Sequence, residues 1–262
     1  MAEILVRREG SVATVVMSNP EKYNAMTVQM WCTLPERLAE LDADPDVRVI
    51  VLTGDGEKAF VSGADISQFE EQRTHADAQA AYNAAVEAAY LAPGKTGKPT
   101  IASIRGICFG GGLGLAAACD LRICADDARF RMPAGRLGLG YSQTGVHRFA
   151  ALIGVQNTCD IFFSARIFNA QEALRMGFVS RVVPAAELDA AVAEMSGTIA
   201  ENAPLTARAT KMTLNAYLAG MAERSRGDPA VEAAIAACNA SEDYREGVRA
   251  FAEKRKPQFN GR

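Results

Sequence analysis

Three short apolar runs, each following a stretch with helical periodicity, constrain the fold of this chain most. The runs are Val47 to Thr53, Thr100 to Arg105 and Leu121 to Ala125. Apolar runs of this length, bounded by turn residues, are typical of buried strands. Because helical segments alternate with these strands, the sequence predicts an α/β fold.

The two ends of the chain add to this pattern. Ile4 to Arg8 and Val12 to Ser18 predict a strand pair joined by a tight turn, and Phe178 to Val183 predicts the last clear strand. Asn169 with Glu172 three positions later predicts a capped helix start. From residue 185 onward the pattern is helical. We expect a core over residues 1–200 and a helical region over 201–262 that packs on the core or on a neighbouring subunit.

Composition excludes several classes of protein. The 262 residues are 49% hydrophobic and 23% charged, with a formal net charge of −3, so no basic surface predicts a nucleic-acid partner. No apolar run is long enough to span a bilayer, and the first ten residues do not resemble an export signal. We therefore expect a cytoplasmic protein with no membrane partner.

The cysteines and histidines give no indication of a metal site. Six scattered cysteines form no C-x-x-C pair, and the chain has only two histidines. We expect reduced, mostly buried thiols and no bound metal.

A glycine cluster at residues 110–114 lies between a predicted strand and a predicted helix. Gly112, Gly114 and Ala117 formally match the loose dinucleotide fingerprint, so a nicotinamide enzyme is one hypothesis. The match lacks a clear acidic residue about twenty positions further on, and it lies in a region rich in small residues.

A second small-residue segment, residues 58–66, also leads from a strand into a helix. Two such turns can each direct a backbone N–H to one point and form an oxyanion hole for a thioester, which needs small side chains for close approach. The alternative is that both segments are only tight turns.

These segments resemble the crotonase family, the enoyl-CoA hydratase/isomerase superfamily. The similar segments, in chain order, are residues 19–26, 59–66, 102–114, 119–122, 170–183 and 251–257. The resemblance implies a crotonase-like spiral of ββα repeats with a helical C-terminal trimerisation region. It also implies a homotrimer or a dimer of trimers that binds an acyl-CoA thioester, with coenzyme A as part of the substrate and no permanently bound cofactor.

The resemblance also assigns roles to residues. The N–H groups of Ala64 and Gly111 would form the oxyanion hole and stabilise an enolate. The coenzyme A site would be bordered and closed by Lys22, Ser62, Ala64, Asp65, Ile66, Phe251 and Lys254. For Asp65 we also expect a helix cap, and Lys254 could equally belong to a solvated tail.

Two positions depart from the family pattern. A typical hydratase of this family carries two glutamates, and the matching positions here are Gly114 and Ala134. Positioned acid–base groups contribute typically 10²–10⁴-fold to a rate, so the standard hydration mechanism lacks its proton-transfer groups in this chain.

Tyr141 and Ser142 are the polar residues that we expect in the acyl pocket. The segment 137–147 resembles the methylmalonyl-CoA decarboxylase branch, where a tyrosine stands at the position of Tyr141, and the dehalogenase branch has its nucleophilic aspartate at that of Ser142. The alternative for Tyr141 is a packed residue whose hydroxyl satisfies a loop carbonyl. His147 is interpreted as structural and His75 as part of a flap or a solvated helix start.

The sequence therefore predicts an acyl-CoA enzyme that stabilises an enolate, with several reactions open. Decarboxylation needs no base to remove an α-proton, and other C–C cleavage is an alternative. A different class of hypothesis is a non-catalytic acyl-CoA binder, which would bind thioesters and convert none.

Overall fold

The computed structural model describes residues 2–65, 76–223 and 229–260. The chain forms two compact units. The first unit comprises Met1–Phe130 and Phe168–Asn215, and the second comprises Arg131–Ile167 and Ala216–Arg262. The division that the sequence predicts between residues 200 and 201 stays a prediction.

The strands of the described residues form two sheets. In chain order they are β1 (Glu3–Glu9), β2 (Val12–Ser18), β3 (Val49–Gly54), β4 (Ala59–Val61), β5 (Thr100–Ile104), β6 (Ile107–Phe109), β7 (Leu121–Ala125), β8 (Arg129–Arg131), β9 (Ile167–Asn169) and β10 (Arg181–Val183). One sheet has the order β1-β2-β3-β5-β7-β10 and the other the order β4-β6-β8-β9. Strands β1 and β2 are antiparallel, and the remaining pairs of the larger sheet are parallel.

Helices connect and follow these strands. They are α1 (Val28–Ala43), α2 (Ala76–Lys95), α3 (Gly111–Ala118), α4 (Ala134–Leu137), α5 (Gln143–Ser164), α6 (Ala170–Arg175), α7 (Leu188–Glu201), α8 (Pro204–Glu223), α9 (Pro229–Ala240) and α10 (Glu242–Ala252). The α/β class and the helical pattern after residue 185 are confirmed for the described residues. No helix among them is both long enough and apolar enough to cross a membrane.

The core of the first unit lies between the larger sheet and α7. Leu188 and Val192 of α7 are buried against Val49, Val51 and Ile101 of the sheet. Their spacing of four residues places them on one face of the helix. The continuous apolar pattern of the strands thus reflects a sheet whose central strands are buried.

Helix α1 begins at a side-chain cap. The hydroxyl of Thr27 accepts a hydrogen bond from the N–H of Met30 at 3.2 Å, which satisfies one of the free donors of the first turn. The apolar side chains of the helix recur at helical spacing and are buried; they are Met30, Trp31, Leu34, Leu38 and Leu41. The cap and this face fix where α1 begins and how it packs.

The predicted cap at Asn169 is confirmed. Its side chain accepts from the N–H of Glu172 at 2.9 Å, and the Glu172 carboxylate accepts from the N–H of Asn169 at 3.0 Å. This reciprocal pair is the capping box that the spacing predicts.

Three predicted boundaries are wrong. Helix α3 begins at Gly111, inside the glycine cluster that was predicted to precede the helix, and β3 begins at Val49 rather than Val47. The last strand begins at Arg181 rather than Phe178, because the Phe178 ring packs on Phe130 at 5.6 Å between centroids, and the N–H of Ser180 donates instead to the Arg122 carbonyl at 2.9 Å.

The expectation of mostly buried thiols is only partly right. Cys108, Cys119 and Cys124 are buried, whereas Cys32 and Cys238 are exposed. The sixth, Cys159, is half-buried, and all six are free thiols. Cys32 lies on the solvent-facing side of α1 and Cys238 on that of α9. The sequence pattern did not distinguish these sides from the buried sides of the two helices.

In the second unit, the loop that contains Gly138 and Gly140 lies in close backbone contact with two helices. A Cβ on Gly138 would lie 2.7 Å from the amide nitrogen of Tyr244, and one on Gly140 would lie 2.6 Å from the carbonyl oxygen of Ile235. The N–H of Gly140 donates to the side chain of Asn239 at 3.0 Å. The loop before α5 therefore packs directly on α9 and α10.

Candidate active site

The backbone at Ala64 is fixed by an isolated parallel bridge to Met26. The N–H of Met26 donates to the Gly63 carbonyl, and the N–H of Asp65 donates to the Met26 carbonyl, each at 2.8 Å. Since successive peptide groups of an extended segment point to opposite sides, the N–H of Ala64 points away from Met26. It is a backbone donor directed to the other side of this segment.

Gly111 is the first residue of α3. The N–H groups of the first helical turn have no acceptor within their own helix, and the hydrogen bond that closes this turn runs from Gly114 to the Gly110 carbonyl at 3.0 Å. A Cβ on Gly63, which has φ +125°, would lie 4.0 Å from the amide nitrogen of Gly111. The structure therefore brings the two glycine-rich turns together, as the oxyanion-hole hypothesis requires.

Lys22, Ser62 and Asp65 form a polar cluster beside Ala64. The hydroxyl of Ser62 donates to the Lys22 carbonyl at 3.1 Å, and Lys22 Nζ donates to the Asp65 carboxylate at 2.9 Å. The side chain of Asp65 is 7% exposed and that of Lys22 is 50% exposed. Lys22 is thus anchored by a buried carboxylate while half of its surface stays in solvent.

The role expected of Asp65 as a helix cap concerns residues outside those that the structure describes. Ile66 also lies outside the described residues, as does His75. What the structure does place at Asp65 is the ion pair with Lys22, which links the two sequence segments assigned to the coenzyme A site.

Two aromatic residues that the sequence did not single out lie beside Gly111. A Cβ on Gly111 would lie 3.0 Å from Cζ2 of Trp31 and 3.4 Å from the hydroxyl oxygen of Tyr90. The two rings meet edge to face at 5.7 Å between centroids. In the sequence both residues lie on helices whose apolar positions indicate only a core, so no local signal connects them to the glycine cluster.

The two positions at which the sequence resemblance expects glutamates hold no proton-transfer group. Gly114 lies inside α3 and is buried, and Ala134 begins α4 with 5% of its surface exposed. Both positions are therefore occupied by small buried residues.

Tyr141 and Ser142 lie at the start of α5 in the second unit. The hydroxyl of Ser142 accepts from the N–H of Gly145 at 3.2 Å and caps the helix. The ring of Tyr141 packs over Gly145, where a Cβ would lie 2.3 Å from Cε1, and meets Phe162 edge to face at 5.2 Å. Both residues thus have a structural role, and their role in the acyl pocket stays a prediction. His147 lies on α5 and is half-buried.

Phe251 and Lys254 lie at the end of α10. Phe251 is 57% exposed, and Lys254 adopts the left-handed conformation with φ +55° while its N–H donates to the Phe251 carbonyl at 3.1 Å. Both side chains are accessible, and their contact with coenzyme A stays a prediction.

The segment after α10 is held by Glu246. Its carboxylate accepts from Arg249, from Arg255 and, at 3.0 Å, from the N–H of Gln258. These donors, the Arg255 guanidinium first, hold the pKa of the Glu246 carboxyl well below its usual range. These contacts attach Arg255 and Gln258 to α10 through Glu246.

No metal centre is visible in residues 2–65, 76–223 and 229–260, where no three His, Cys, Asp or Glu side chains are grouped to hold an ion. Cys108 and Cys124 are not activated nucleophiles, because burial raises the pKa of Cys108 well above its usual value and that of Cys124 to about 12.

Comparison with known proteins connects this geometry to a family. The family model for enoyl-CoA hydratase/isomerase matches residues 7–262. A short-chain-enoyl-CoA hydratase of Clostridium acetobutylicum is 33% identical over 254 residues, which covers 97% of this chain and 95% of the relative.

Solved structures give the same result for the fold. An enoyl-CoA hydratase/carnithine racemase from Magnetospirillum magneticum is 34% identical with a TM-score of 0.79, covering 100% of this chain and 97% of its own. A methylmalonyl-CoA decarboxylase in complex with 2-nitronate-propionyl-CoA is 29% identical with a TM-score of 0.90, covering 99% and 98%. The chain has the crotonase fold and belongs to the enoyl-CoA hydratase/isomerase family, whose members act on CoA thioesters.

Proposed function

We propose that this protein decarboxylates an acyl-CoA thioester that carries a carboxylate on its α-carbon. One observation carries the proposal. The chain has the two backbone N–H donors of an oxyanion hole but lacks the two acid–base side chains of a hydratase. Ala64 and Gly111 lie on converging turns, whereas Gly114 and Ala134 occupy the positions of the two glutamates that hydration uses. Enolate stabilisation is kept and proton abstraction is lost.

Decarboxylation requires stabilisation of an enolate but no base that removes an α-proton. The bond between the α-carbon and the carboxylate breaks, CO₂ leaves, and the electron pair of that bond forms the thioester enolate. Hydrogen bonds from the N–H groups of Ala64 and Gly111 stabilise the enolate oxygen, and each such donor is worth about 3 kcal/mol in the transition state. A proton from solvent then reaches the α-carbon, so no residue has to remove an α-proton.

The similarity to the methylmalonyl-CoA decarboxylase structure supports this reaction, since its TM-score of 0.90 exceeds the 0.79 of the hydratase/racemase structure. On sequence grounds we propose Tyr141 as a contact of the acyl group, with Ser142 beside it in the chain.

Hydration is the second candidate function. It is favoured by the 33% identity to a short-chain-enoyl-CoA hydratase. A hydratase would need another group to do the work of the two glutamates.

We further propose that Lys22, Ser62 and the segment after Ala64 bind the coenzyme A part of the substrate, with Phe251 and Lys254 closing that site, and that no other cofactor is held permanently. Exposed apolar side chains on α8, among them Leu205 and Met212, fit a homotrimer or a dimer of trimers. Light scattering coupled to gel filtration tests the assembly, with three or six chain masses expected and one chain mass contradicting it.

The first experiment incubates the purified protein with malonyl-CoA, methylmalonyl-CoA and crotonyl-CoA in D₂O. We expect CO₂ release from the first two and one deuterium on the product α-carbon, with slow or no loss of the enoyl absorbance of crotonyl-CoA. Rapid hydration without CO₂ release would overturn the proposal in favour of a hydratase, and binding of all three esters without conversion would indicate a non-catalytic binder.

A matched pair of variants isolates the oxyanion donor. Gly111→Pro removes the N–H at the first helical position, where proline is tolerated, and Gly111→Ala adds a Cβ at the same point but keeps the N–H. Both meet Trp31. We expect the proline variant to turn over about 10²–10³-fold more slowly than the alanine variant, and equal rates would contradict the role of Gly111.

A further inference from the structure

The side chain of Trp31 has a buried hydrogen-bond donor for which none of the described residues supplies an acceptor. Trp31 is 1% exposed, and its Nε1 has no hydrogen-bond partner in the part of the chain that the structure describes. An indole N–H can only donate. Since nearly all buried polar groups are hydrogen-bonded in native proteins, an exception of this kind calls for an explanation.

The position of this donor suggests what supplies its acceptor. Cζ2 and Cη2 of Trp31 would lie 3.0 and 3.2 Å from a Cβ on Gly111. Because Cζ2 and Nε1 are both bonded to Cε2, the N–H lies next to the ring edge that faces Gly111. Only Cε2 separates the donor nitrogen from the ring atom nearest Gly111, the residue whose own N–H is proposed to bind the thioester oxygen.

Tyr90 adds a second polar group at the same place. Its hydroxyl oxygen lies 3.4 Å from the same point on Gly111, and its ring is held against Trp31 at an interplanar angle of 82°. A tyrosine hydroxyl can donate as well as accept. Two neutral hydrogen-bonding groups thus lie on one side of Gly111, in aromatic surroundings.

We infer that Trp31 Nε1 and the Tyr90 hydroxyl bind an oxygen of the carboxylate on the acyl group, and so select carboxylated thioesters over plain ones. A carboxylate offers only acceptors, which is what an indole N–H requires. The inference rests on the proposed function for the identity of the oxygen-bearing group.

Neutral donors suit a carboxylate that has to leave as CO₂. A cation would form a charge-assisted hydrogen bond and stabilise the carboxylate in the ground state more strongly, and only interactions stronger in the transition state than in the ground state accelerate a reaction. The pair orients the carboxylate without such excess stabilisation.

The test is binding by calorimetry of two stable thioethers that lack the thioester oxygen. One is 2-carboxypropyl-CoA, and the other is isobutyl-CoA, in which a methyl group replaces the carboxylate. We expect Trp31→Phe to raise the Kd for 2-carboxypropyl-CoA by about tenfold or more and to leave the Kd for isobutyl-CoA within about twofold. Tyr90→Phe should also raise the Kd for 2-carboxypropyl-CoA. Tyr217→Phe, at a residue 66% exposed on α8, is the control that should change neither.

The inference would be overturned if Trp31→Phe changed the Kd for both ligands equally or changed neither. It would also be overturned if the unchanged protein bound neither ligand. Tyr90→Phe keeps the test open if Trp31→Phe fails to fold, as judged by circular dichroism. Because Trp31 is the only tryptophan, its fluorescence offers a second readout: 2-carboxypropyl-CoA should shift the emission more than isobutyl-CoA does, and identical spectra would count against the contact.

The two failures can be distinguished. Selective loss of carboxylate binding in Trp31→Phe without CO₂ release by the unchanged protein would uphold the inference and overturn decarboxylation. CO₂ release together with unselective binding would do the reverse.

Discussion

The α-carbon of Gly112 packs directly on the carbonyl of Val61, so closely that a Cβ would lie 2.1 Å from the Val61 oxygen. This contact joins α3 to β4, the strand that leads to Ala64. It sets the separation of the two turns that carry the proposed oxyanion donors.

Gly112→Ala is therefore expected to destabilise the protein. The added methyl group meets backbone atoms that have no rotamer to change, and overpacking of this kind costs typically 1–3 kcal/mol. We expect a lower midpoint of urea unfolding, followed by circular dichroism, and slower turnover because the Gly111 N–H is displaced.

Gly197→Ala is the matched control. It also replaces a helical glycine, but a Cβ there meets nothing within 4 Å, so a gain of about 0.5–1 kcal/mol is expected from helix propensity. Equal midpoints for the two variants would show that the contact of Gly112 with Val61 does not constrain α3.

The ion pair of Lys22 and Asp65 is expected to couple more strongly than an exposed pair. Asp65 is 7% exposed and the two groups are 2.9 Å apart, whereas Arg37 and Glu40 are 42% and 61% exposed. Because Lys22 is half-exposed, solvent screening limits the coupling to about 1 kcal/mol, against less than about 0.5 kcal/mol for the control pair. Double-mutant cycles with Lys22→Met and Asp65→Asn, and with Arg37→Met and Glu40→Gln, measure both energies. A larger value for the control pair would contradict the role given to burial.

The Glu246 carboxylate should make the end of the chain sensitive to acid. Its pKa in the folded protein lies well below the ordinary 4.5. Its contribution to stability is therefore fully present above pH 4.5 and is lost as the pH falls from there through the lower pKa of the folded state. We expect the protection factors of residues 253–260, which correct exchange rates for the intrinsic pH dependence of amide exchange, to fall at acid pH in the unchanged protein.

Glu246→Gln isolates this effect, because it removes the titrating group and keeps the size of the side chain. The variant should show low protection factors for the same residues already at neutral pH, with little further fall in acid. If the unchanged protein and the variant respond to pH alike, another group governs the segment.

Thiol labelling should divide the cysteines by burial. Cys32 and Cys238 are exposed, whereas Cys108 and Cys124 are buried, and burial raises the pKa of both buried thiols. Since the thiolate is the reactive form, we expect the two exposed thiols to react with a disulfide reagent in the native protein and the buried pair only after unfolding. Replacing Cys32, Cys238 and the half-buried Cys159 by serine should leave no thiol that reacts in the native protein. Persistent reaction would show that a buried thiol becomes accessible.

Several features of the fold were predictable because they depend on neighbours along the chain. The capping box of Asn169 and Glu172 follows from a spacing of three residues, and the main strands follow from continuous apolar runs such as Val49–Gly54. The strands β4, β6 and β8 of the smaller sheet were missed, because three residues such as Ala59–Val61 are too few to show a period.

The sequence by itself determined the α/β class, the family and the two glycine-rich turns, since local periodicity and ordered motifs carry that information. Only the tertiary structure decided what surrounds those turns. Trp31, Tyr90 and Gly111 lie on three different helices, and the pairing of Lys22 with Asp65 joins segments 43 positions apart. Contacts of this kind arise when helices pack on a common sheet, and the periodicity of a single helix specifies which face is buried but not which distant residue that face meets.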